Sequence, residues 1–304
     1  MDRKPLRMGS VKEVYDLGRE LEFRFTDRIS VFDKVTPSMI PSKGETLCRE
    51  GVYWFDRAKR MGIATHFERY LPPNGMLVRK VDIINPENIT DRSKNCLIPL
   101  EVICRWYVAG SIYDRLKGGD IDPEVLGFPR GRTVEYGEQL PDPYVEVSTK
   151  LERVDRLLDR SSALELSGLT PAEYDAITEI VLGIDEDIKR EVETRGLIHV
   201  DGKKEFAFDQ DRNIMVIDVY GTADEDRFWA KTQYEEGEFV DLSKEFVRQH
   251  YRRIGYKDRL YDARNTGSPE PEIPPLPDDV IDQTSRIYTR LFEMITGDTF
   301  VRHD

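Results

Sequence analysis

The chain has 304 residues, which is enough for one large or two medium domains with a hydrophobic core, so disulfides or structural metals are not needed for folding. Charged residues make up 34% of the chain and hydrophobic residues 39%, a composition typical of globular rather than disordered proteins. The formal net charge of −13 argues against nucleic-acid binding, although clustered Lys and Arg could still form a pocket for a small phosphorylated ligand.

The N-terminal part of the chain reads mostly as short strands. VKEVYDLG and LEFRFTD, which follow Gly9 and Ser10, predict a hairpin, and a helix is predicted from about Lys43 to Met61. MLVRKVDII (76–84) predicts a strand with Val78 and its apolar tail pointing inward. After the polar loop NPENITDRSKNC, another strand begins in IPLEVICRWYVAGS (98–111).

The second half of the chain contains the clearest helix signal. Thr170 to Glu173 form a capping box with proline at the first helical position, and the following apolar residues recur on one helical face. GLIHVDGKKEFAFDQDRNIMVIDVYG then predicts a second hairpin with DQDRN as its turn. A proline-rich connector (265–279) leads to a last helix with apolar positions at Val280, Ile287, Leu291 and Ile295.

These elements predict an α+β architecture, because strands flank helices without regular βαβ alternation. We expect a nucleotide cleft between an antiparallel N-terminal sheet lobe (1–84) and a larger α+β lobe (85–264), followed by the connector and a C-terminal helix (280–304) that docks on the body. The three cysteines lack CxxC spacing, and the four histidines are not paired at ligand spacing, so no zinc site is expected. With no long apolar stretch and no leader segment, we expect a cytoplasmic protein with neither a membrane nor a nucleic acid as partner.

Charged residues interrupt the second hairpin at regular spacing. Strand alternation places Lys203 and Glu205 on one face, and the proposed turn brings Asp218 near Glu205. Two carboxylates together with nucleotide phosphates form a common Mg²⁺ site. The alternative interpretation is a solvated sheet face with cross-strand ion pairs.

Other candidate residues lie in turns and at strand ends. Gly9 and Ser10 before Lys12 could cover phosphates, or could form an ordinary turn with a surface lysine. Arg105, beside the Gly110-Ser111 turn, suits a carboxylate or phosphate ligand, or a structural ion pair. Asp224 and Arg227 lie in a polar stretch that could be a substrate loop or a connector.

Taken together, these segments resemble the phosphoribosylaminoimidazole-succinocarboxamide synthase (SAICAR synthetase) family. The main carrier of the resemblance is LIPLEVICRWYVAGS (97–111), which is similar to that family's signature. Further motifs follow in the family's order: GSVKEVYDL, FTDRISVFD, IPSKG, VSTK, VDGKKEF, IDVYGTADEDRFW, SKEFVR and a C-terminal LPDDVIDQTSRIYTRLFEMITG. The resemblance covers nearly the whole chain.

The resemblance implies a two-lobed fold and an ATP-dependent ligase of purine biosynthesis. In that reaction ATP phosphorylates the carboxylate of carboxyaminoimidazole ribonucleotide (CAIR), and the amine of L-aspartate then displaces phosphate. ATP and Mg²⁺ are the implied cofactors, and a homo-oligomer is a further expectation from the resemblance.

Residue roles also follow from the resemblance. Lys12, with Gly9 and Ser10, is implied to contact ATP phosphates, and Glu205 and Asp218 are implied to hold magnesium. The implied ribonucleotide contacts are Arg105, Ser111 and, through the 5′-phosphate, Arg248, with Lys43 of IPSKG as a further substrate contact. The positions implied for the catalytic junction are Asp201, Lys203, Asp224 and Arg227, with Lys150 on the aspartate side.

The chain departs from the family pattern at several of these motifs. His199 and Lys204 replace apolar residues, Ala207 replaces a glycine, and Val219 stands where a carboxylate is common. Glu225 and Asp226 precede Arg227 and would repel a dianionic amino acid unless they point away from it. Two alternatives therefore remain open: a paralogous ligase that uses another amine, and a catalytically silent nucleotide-binding homologue.

Overall fold

The computed structural model describes residues 4–152 and 154–303. Its elements in chain order are β1 (Arg7–Met8), β2 (Lys12–Asp16), β3 (Glu20–Phe25), β4 (Arg28–Val31), β5 (Lys34–Met39), α1 (Lys43–Arg60), β6 (Phe67–Leu71), β7 (Gly75–Arg79), β8 (Leu97–Tyr107), α2 (Ser111–Gly118), β9 (Gln139–Thr149), β10 (Leu157–Leu158), α3 (Arg160–Ser167), α4 (Pro171–Glu193), β11 (Leu197–Phe208), β12 (Ile214–Ile217), β13 (Asp226–Ala230), α5 (Lys231–Glu235), α6 (Glu245–Arg253), α7 (Tyr256–Thr266) and α8 (Asp278–Thr296).

The N-terminal strands form a five-stranded antiparallel sheet in the order β1-β2-β3-β7-β6. The predicted hairpin is confirmed as β2 and β3, and the predicted helix is confirmed as α1. Phe23, Phe25 and Met76 are buried in the core to which α1 contributes Trp54 and Phe55. This sheet, with α1 beside it, presents the turn before β2 and its Lys12.

The strand predicted over 76–84 is wrong at its C-terminal end. The strand stops at Arg79, and Asp82 instead forms an isolated parallel bridge with Cys96. Here the chain passes from the first sheet to the second, so no neighbouring strand continues the ladder. Val78 is buried as predicted, but the apolar tail points inward only in part, because Ile83 is 66% exposed while Ile84 packs against the core.

A second antiparallel sheet follows the order β10-β9-β8-β11-β12, with β13 also paired to β11. Strands β11 and β12 are the second predicted hairpin, which is confirmed. The predicted capping box is also confirmed at the start of α4, where the Thr170 hydroxyl accepts from the Glu173 amide. Residues Ile177, Val181 and Ile184 of α4 are buried against this sheet.

Pairing of β8 with β11 gives the second sheet two different faces. Arg105 lies opposite Asp201, and Glu101 lies opposite Glu205, so these charged side chains share one face. Val102 and Cys104 alternate with them and are buried on the α4 side. The sheet therefore separates a charged cleft from the core beneath α4.

The predicted C-terminal helix is confirmed as α8, which packs on α1. The Arg49 guanidinium of α1 lies 4.5 Å from the centre of the Phe292 ring of α8. Among the described residues, no helix is both long and apolar enough to cross a membrane. The mixed α+β class with antiparallel sheets is confirmed, whereas the predicted lobe boundaries stay predictions.

Candidate active site

The centre of the candidate site is the charged face of β11. Lys203 Nζ lies 3.1 Å from Glu101 Oε1 and 3.7 Å from Glu205 Oε1. Glu205 also forms an ion pair with Lys150, the last residue of the VSTK motif. The same-face prediction for Lys203 and Glu205 is confirmed, and the strands bring Lys150 to them.

Lys12 enters this cleft from the N-terminal sheet. Its ammonium forms an ion pair with Asp218, which follows β12 in a left-handed backbone conformation (φ 57°). Gly9 and Ser10 form the turn between β1 and β2, closed by a 2.8 Å hydrogen bond from the Gly9 amide to the Lys12 carbonyl. Lys12, which follows this turn in the first sheet, therefore meets the carboxylate that follows β12 of the second sheet.

Burial and contacts between charged groups shift the pKa values of Glu205, Asp218 and Lys203. Burial and the charge of Asp218 raise the pKa of Glu205. Burial opposes ionisation of Asp218, but the charge and hydrogen bond of Lys12 hold its pKa well below the usual range. Burial would lower the pKa of Lys203, but the carboxylates of Glu225, Glu205 and Glu101 raise it. Lys203 is therefore a stable cation at neutral pH.

The other end of the same face is built around Arg105. Its guanidinium donates to Glu146 (2.6 Å and 2.8 Å), to Asp201 (3.1 Å) and to the Ser111 hydroxyl (3.0 Å). Only 6% of the Arg105 side chain is exposed. The structural ion pair considered for this residue is therefore present, and it fixes Ser111 at the start of α2.

Arg227 completes this end through Asp201, whose Oδ2 lies 3.1 Å from Arg227 Nη1 as well. Gly110 permits this arrangement, because a Cβ atom at that position would lie 2.7 Å from Arg227 Nη2. Asp241 then links two cations: its Oδ2 lies 4.0 Å from Arg227 Nε and 3.0 Å from Arg248 Nη1. Arg105, Ser111, Arg227 and Arg248 thus lie along one connected surface.

Asp224 lies beneath this surface rather than on it. Its Oδ2 accepts a 2.7 Å hydrogen bond from the Lys43 ammonium, and its Oδ1 accepts one of 2.7 Å from the Tyr288 hydroxyl. Lys244 Nζ lies 3.6 Å from Oδ1. Burial opposes ionisation of Asp224, but Lys244 and Lys43 lower its pKa well below the usual range. Lys43 is fully buried, so its predicted substrate contact stays a prediction.

The two extra acids before Arg227 point in different directions. Asp226 turns toward α4, where its Oδ2 lies 2.8 Å from His199 Nε2 and 3.2 Å from Lys204 Nζ. Glu225 stays at the cleft, with Oε2 3.7 Å from Lys203 Nζ. Asp226 therefore points away from Arg227 and would not repel a dianionic amino acid there. Glu225 faces the Lys203 cation.

Two family departures, His199 and Lys204, belong to one buried cluster with Asp226 and Asp185 of α4. Lys204 Nζ lies 2.7 Å from Asp185 Oδ2, and all four side chains have no exposed area. A register shift in β11 between His199 and Asp201 puts His199 on the same side as Lys204. The Lys204 ammonium lies among the carboxylates, so the cluster carries its own cation.

The remaining departures leave the cleft carboxylates intact. Val219 packs against α1, where a Cβ atom on Gly51 would lie 2.8 Å from Val219 Cγ1. Ala207 is buried with Leu97, Met215 and Ile217 in a small apolar cluster. Glu205 and Asp218 still face the cleft.

Sequence reasoning missed several residues at this site. Glu146 alternates with Ser148 on β9, and this period-two pattern could have placed both on the charged face. Lys244 lies within the SKEFVR motif and Asp241 lies just before it, but neither was singled out. Tyr288 gave no local signal, because in sequence it is one apolar position of a terminal helix.

Comparisons with known proteins match nearly the whole chain. The SAICAR synthetase family model matches residues 5–262. A phosphoribosylaminoimidazole-succinocarboxamide synthase of Thermoplasma acidophilum is 52% identical over 297 residues, covering 97% of this chain and 99% of the relative. The corresponding protein of Thermoplasma volcanium is 50% identical over 294 residues, covering 97% of this chain and 99% of the relative.

Solved structures show the same fold. The SAICAR synthase of Saccharomyces cerevisiae in complex with SAICAR aligns with a TM-score of 0.76 at 24% identity, covering 98% of this chain and 96% of that chain. A SAICAR synthetase from Pyrococcus horikoshii aligns with a TM-score of 0.66 at 25% identity, covering 95% of this chain and 99% of that chain.

Proposed function

The chain belongs to the SAICAR synthetase family, and we propose that the charged face of β11 and the turn before β2 together carry out that family's reaction. The chain is an ATP-dependent carbon–nitrogen ligase of de novo purine biosynthesis that joins L-aspartate to the carboxylate of CAIR. The observation that carries the assignment to this site is the single row Asp201, Lys203 and Glu205, with Lys12–Asp218 at one end and Arg105–Arg227 at the other.

The Lys12 end is proposed to bind ATP. The Gly9-Ser10 turn would leave backbone amides near the phosphates, and Lys12 would reach them as a point charge. Binding would require Lys12 to exchange part of its contact with Asp218 for phosphate oxygens, which is favourable only if another cation takes its place.

Glu205 and Asp218 are proposed to hold that cation, Mg²⁺. The donor set fits, because Glu205 pairs on the sheet with Ile217, the residue before Asp218, and the two carboxylates are neutralised here by the ammonium groups of Lys150 and Lys12. When bound, the ion would draw charge from the phosphate oxygens during transfer.

The Arg105 end is proposed to bind the ribonucleotide. Glu146 and Asp201 hold the Arg105 guanidinium in one orientation. The planar face of the guanidinium and the Ser111 hydroxyl would then bind the carboxylate on the ribonucleotide's imidazole ring. Arg248 is 32% exposed and only partly neutralised by Asp241, so it suits the 5′-phosphate. Lys43 is fully buried, so any contribution it makes to substrate binding would be indirect, through its hydrogen bond to Asp224.

Between the two ends, Lys203 is proposed as the central catalytic cation. A carboxylate oxygen of CAIR attacks the γ-phosphorus of ATP, ADP leaves, and an acyl phosphate forms. The L-aspartate amine then attacks the acyl carbon, and phosphate leaves with that carboxylate oxygen. Lys203 would stabilise the charge of the transferring phosphoryl group, because its ammonium stays protonated in this surrounding.

The amine substrate would bind beside Arg227 and Lys150, with the buried Asp224 beneath this surface. Because Asp226 turns away and Glu225 faces Lys203, the dianionic amino acid does not meet two free acids at Arg227. Asp201 contacts both Arg227 and Arg105 and would fix their positions relative to the two substrates.

Amine-dependent ADP release tests this proposal. The purified chain is assayed with CAIR, Mg-ATP and a panel of amino acids, and calorimetry measures Mg-ATP binding separately. We expect turnover with L-aspartate. Turnover restricted to another amine would overturn the aspartate assignment, and absence of Mg-ATP binding would favour the silent homologue.

A further inference from the structure

Asp224 is held by two helices that are distant in sequence. Lys43 begins α1, and Tyr288 lies in α8, yet each places a donor 2.7 Å from a different oxygen of the same carboxylate. Lys43 has no exposed side-chain area, and the Tyr288 residue is fully buried. The carboxylate is therefore fixed in rotation as well as in position.

The Tyr288 hydroxyl is not explained by packing alone. A phenylalanine would fill the same space between α8 and its neighbours, and burial of a hydroxyl is unfavourable unless it is hydrogen-bonded. The hydrogen bond that it makes goes to Asp224. Burial and the charge of Asp224 raise the pKa of Tyr288 far above its usual value, so the phenol is a donor at any working pH.

The backbone of the loop before Asp224 is already held from another direction. Trp54 Nε1 donates to the Gly221 carbonyl at 2.8 Å, and the Ala223 amide donates to Glu50 at 2.8 Å. Both partners lie in α1. The Tyr288 contact therefore adds orientation of the Asp224 side chain rather than placement of its backbone.

From these contacts we infer that Tyr288 is a positioning residue for the ligase reaction. It holds the Asp224 carboxylate so that Lys43 takes one oxygen and the other remains directed to Lys244, which is only 17% exposed. Tyr288 lies outside residues 5–262, which the family model matches. The inference rests on the proposed function, which places Asp224 at the amine side of the reaction.

The test compares two buried tyrosines that each lose one hydroxyl. Tyr288→Phe removes the donor to Asp224, and Tyr251→Phe removes a 2.7 Å hydrogen bond to the Pro274 carbonyl. For both variants, steady-state kinetics are measured for L-aspartate, ATP and CAIR, together with thermal unfolding. A lost hydrogen bond to a charged group predicts a fall of about tenfold or more in kcat/KM for L-aspartate in Tyr288→Phe.

We expect the KM values for ATP and CAIR to stay unchanged in Tyr288→Phe, and we expect Tyr251→Phe to retain wild-type kinetics at a comparable loss of stability. Equal kinetics of the two variants, with Asp224→Asn inactive, would overturn the inference and leave the proposed function standing. Wild-type activity of Asp224→Asn would instead remove the role of Asp224, and with it the role of Tyr288.

Discussion

Lys204 and Asp226 form a buried ion pair on the side of β11 opposite the cleft, with Nζ 3.2 Å from Oδ2. Asp226 Oδ1 also accepts a 2.8 Å hydrogen bond from the Gly221 amide. Because Asp226 precedes Arg227, this pair fixes the strand that carries Arg227 into the site.

Removal of the Lys204 charge is therefore expected to be costly. Lys204→Met would leave the carboxylates of Asp185 and Asp226 buried without their cation, which should lower the free energy of unfolding by about 3–5 kcal/mol. Denaturant titration measures the loss. The matched control is Lys231→Met, which breaks an exposed ion pair with Glu193 and should change stability by at most about 1 kcal/mol. Similar losses of unfolding free energy in the two variants would show that the buried cluster does not stabilise the fold.

The same cluster should make stability depend on pH. Burial raises the pKa of Asp185 to about 6, although Lys204 and His199 oppose the shift and Asp226 adds to it. A carboxyl with a raised pKa binds more protons in the folded state, so its contribution to stability is lost as pH rises from about 4 to about 6. We expect the free energy of unfolding of the wild type to fall over this range relative to Asp185→Asn. Parallel pH profiles of the two proteins would contradict the assignment.

Lys203→Ala is expected to abolish turnover while the fold is retained, because a 31% exposed side chain contributes charge to the cleft rather than core packing. ADP release and circular dichroism measure the two properties. Lys231→Ala, which removes an exposed lysine outside the cleft, should keep full activity. Wild-type-like turnover of Lys203→Ala would contradict the proposed role of Lys203 as the central catalytic cation.

Arg105→Lys should chiefly weaken ribonucleotide binding. Lysine keeps one charge near Glu146 and Asp201 but cannot reproduce the forked contacts that orient Ser111. We expect KM for CAIR to rise by about tenfold or more, since a hydrogen bond to a charged group contributes about 1.5–3 kcal/mol. An unchanged KM for CAIR would exclude Arg105 from the binding site. Arg105→Ala is less informative, because it would also remove the buried charge that Glu146 shares with Arg115 and Asp201 shares with Arg227.

Local patterns predicted much of the site. Strand alternation placed Lys203 and Glu205 on one face, and the short turn between β11 and β12 brought Asp218 near them. Both depend on contacts between residues close in sequence. The capping box of α4 was predicted for the same reason.

Long-range contacts explain what the sequence did not predict. Lys43 and Asp224 are 181 residues apart, and no local pattern signals that they meet. The direction of Asp226 depends on its distant partners His199 and Lys204, together with an irregular register in β11. The strand over 76–84 was overextended because its apolar tail crosses between sheets instead of joining one.

Transfer of an oxygen atom tests the central claim most directly. CAIR labelled with ¹⁸O in its carboxylate is converted with Mg-ATP and L-aspartate, and the released phosphate is analysed by mass spectrometry. If the carboxylate is phosphorylated before the amine attacks, each turnover of fully labelled CAIR transfers one ¹⁸O atom to inorganic phosphate. If the product forms at the normal rate but the released phosphate carries no label, the reaction does not pass through an acyl phosphate. That result would contradict the function proposed for this cleft.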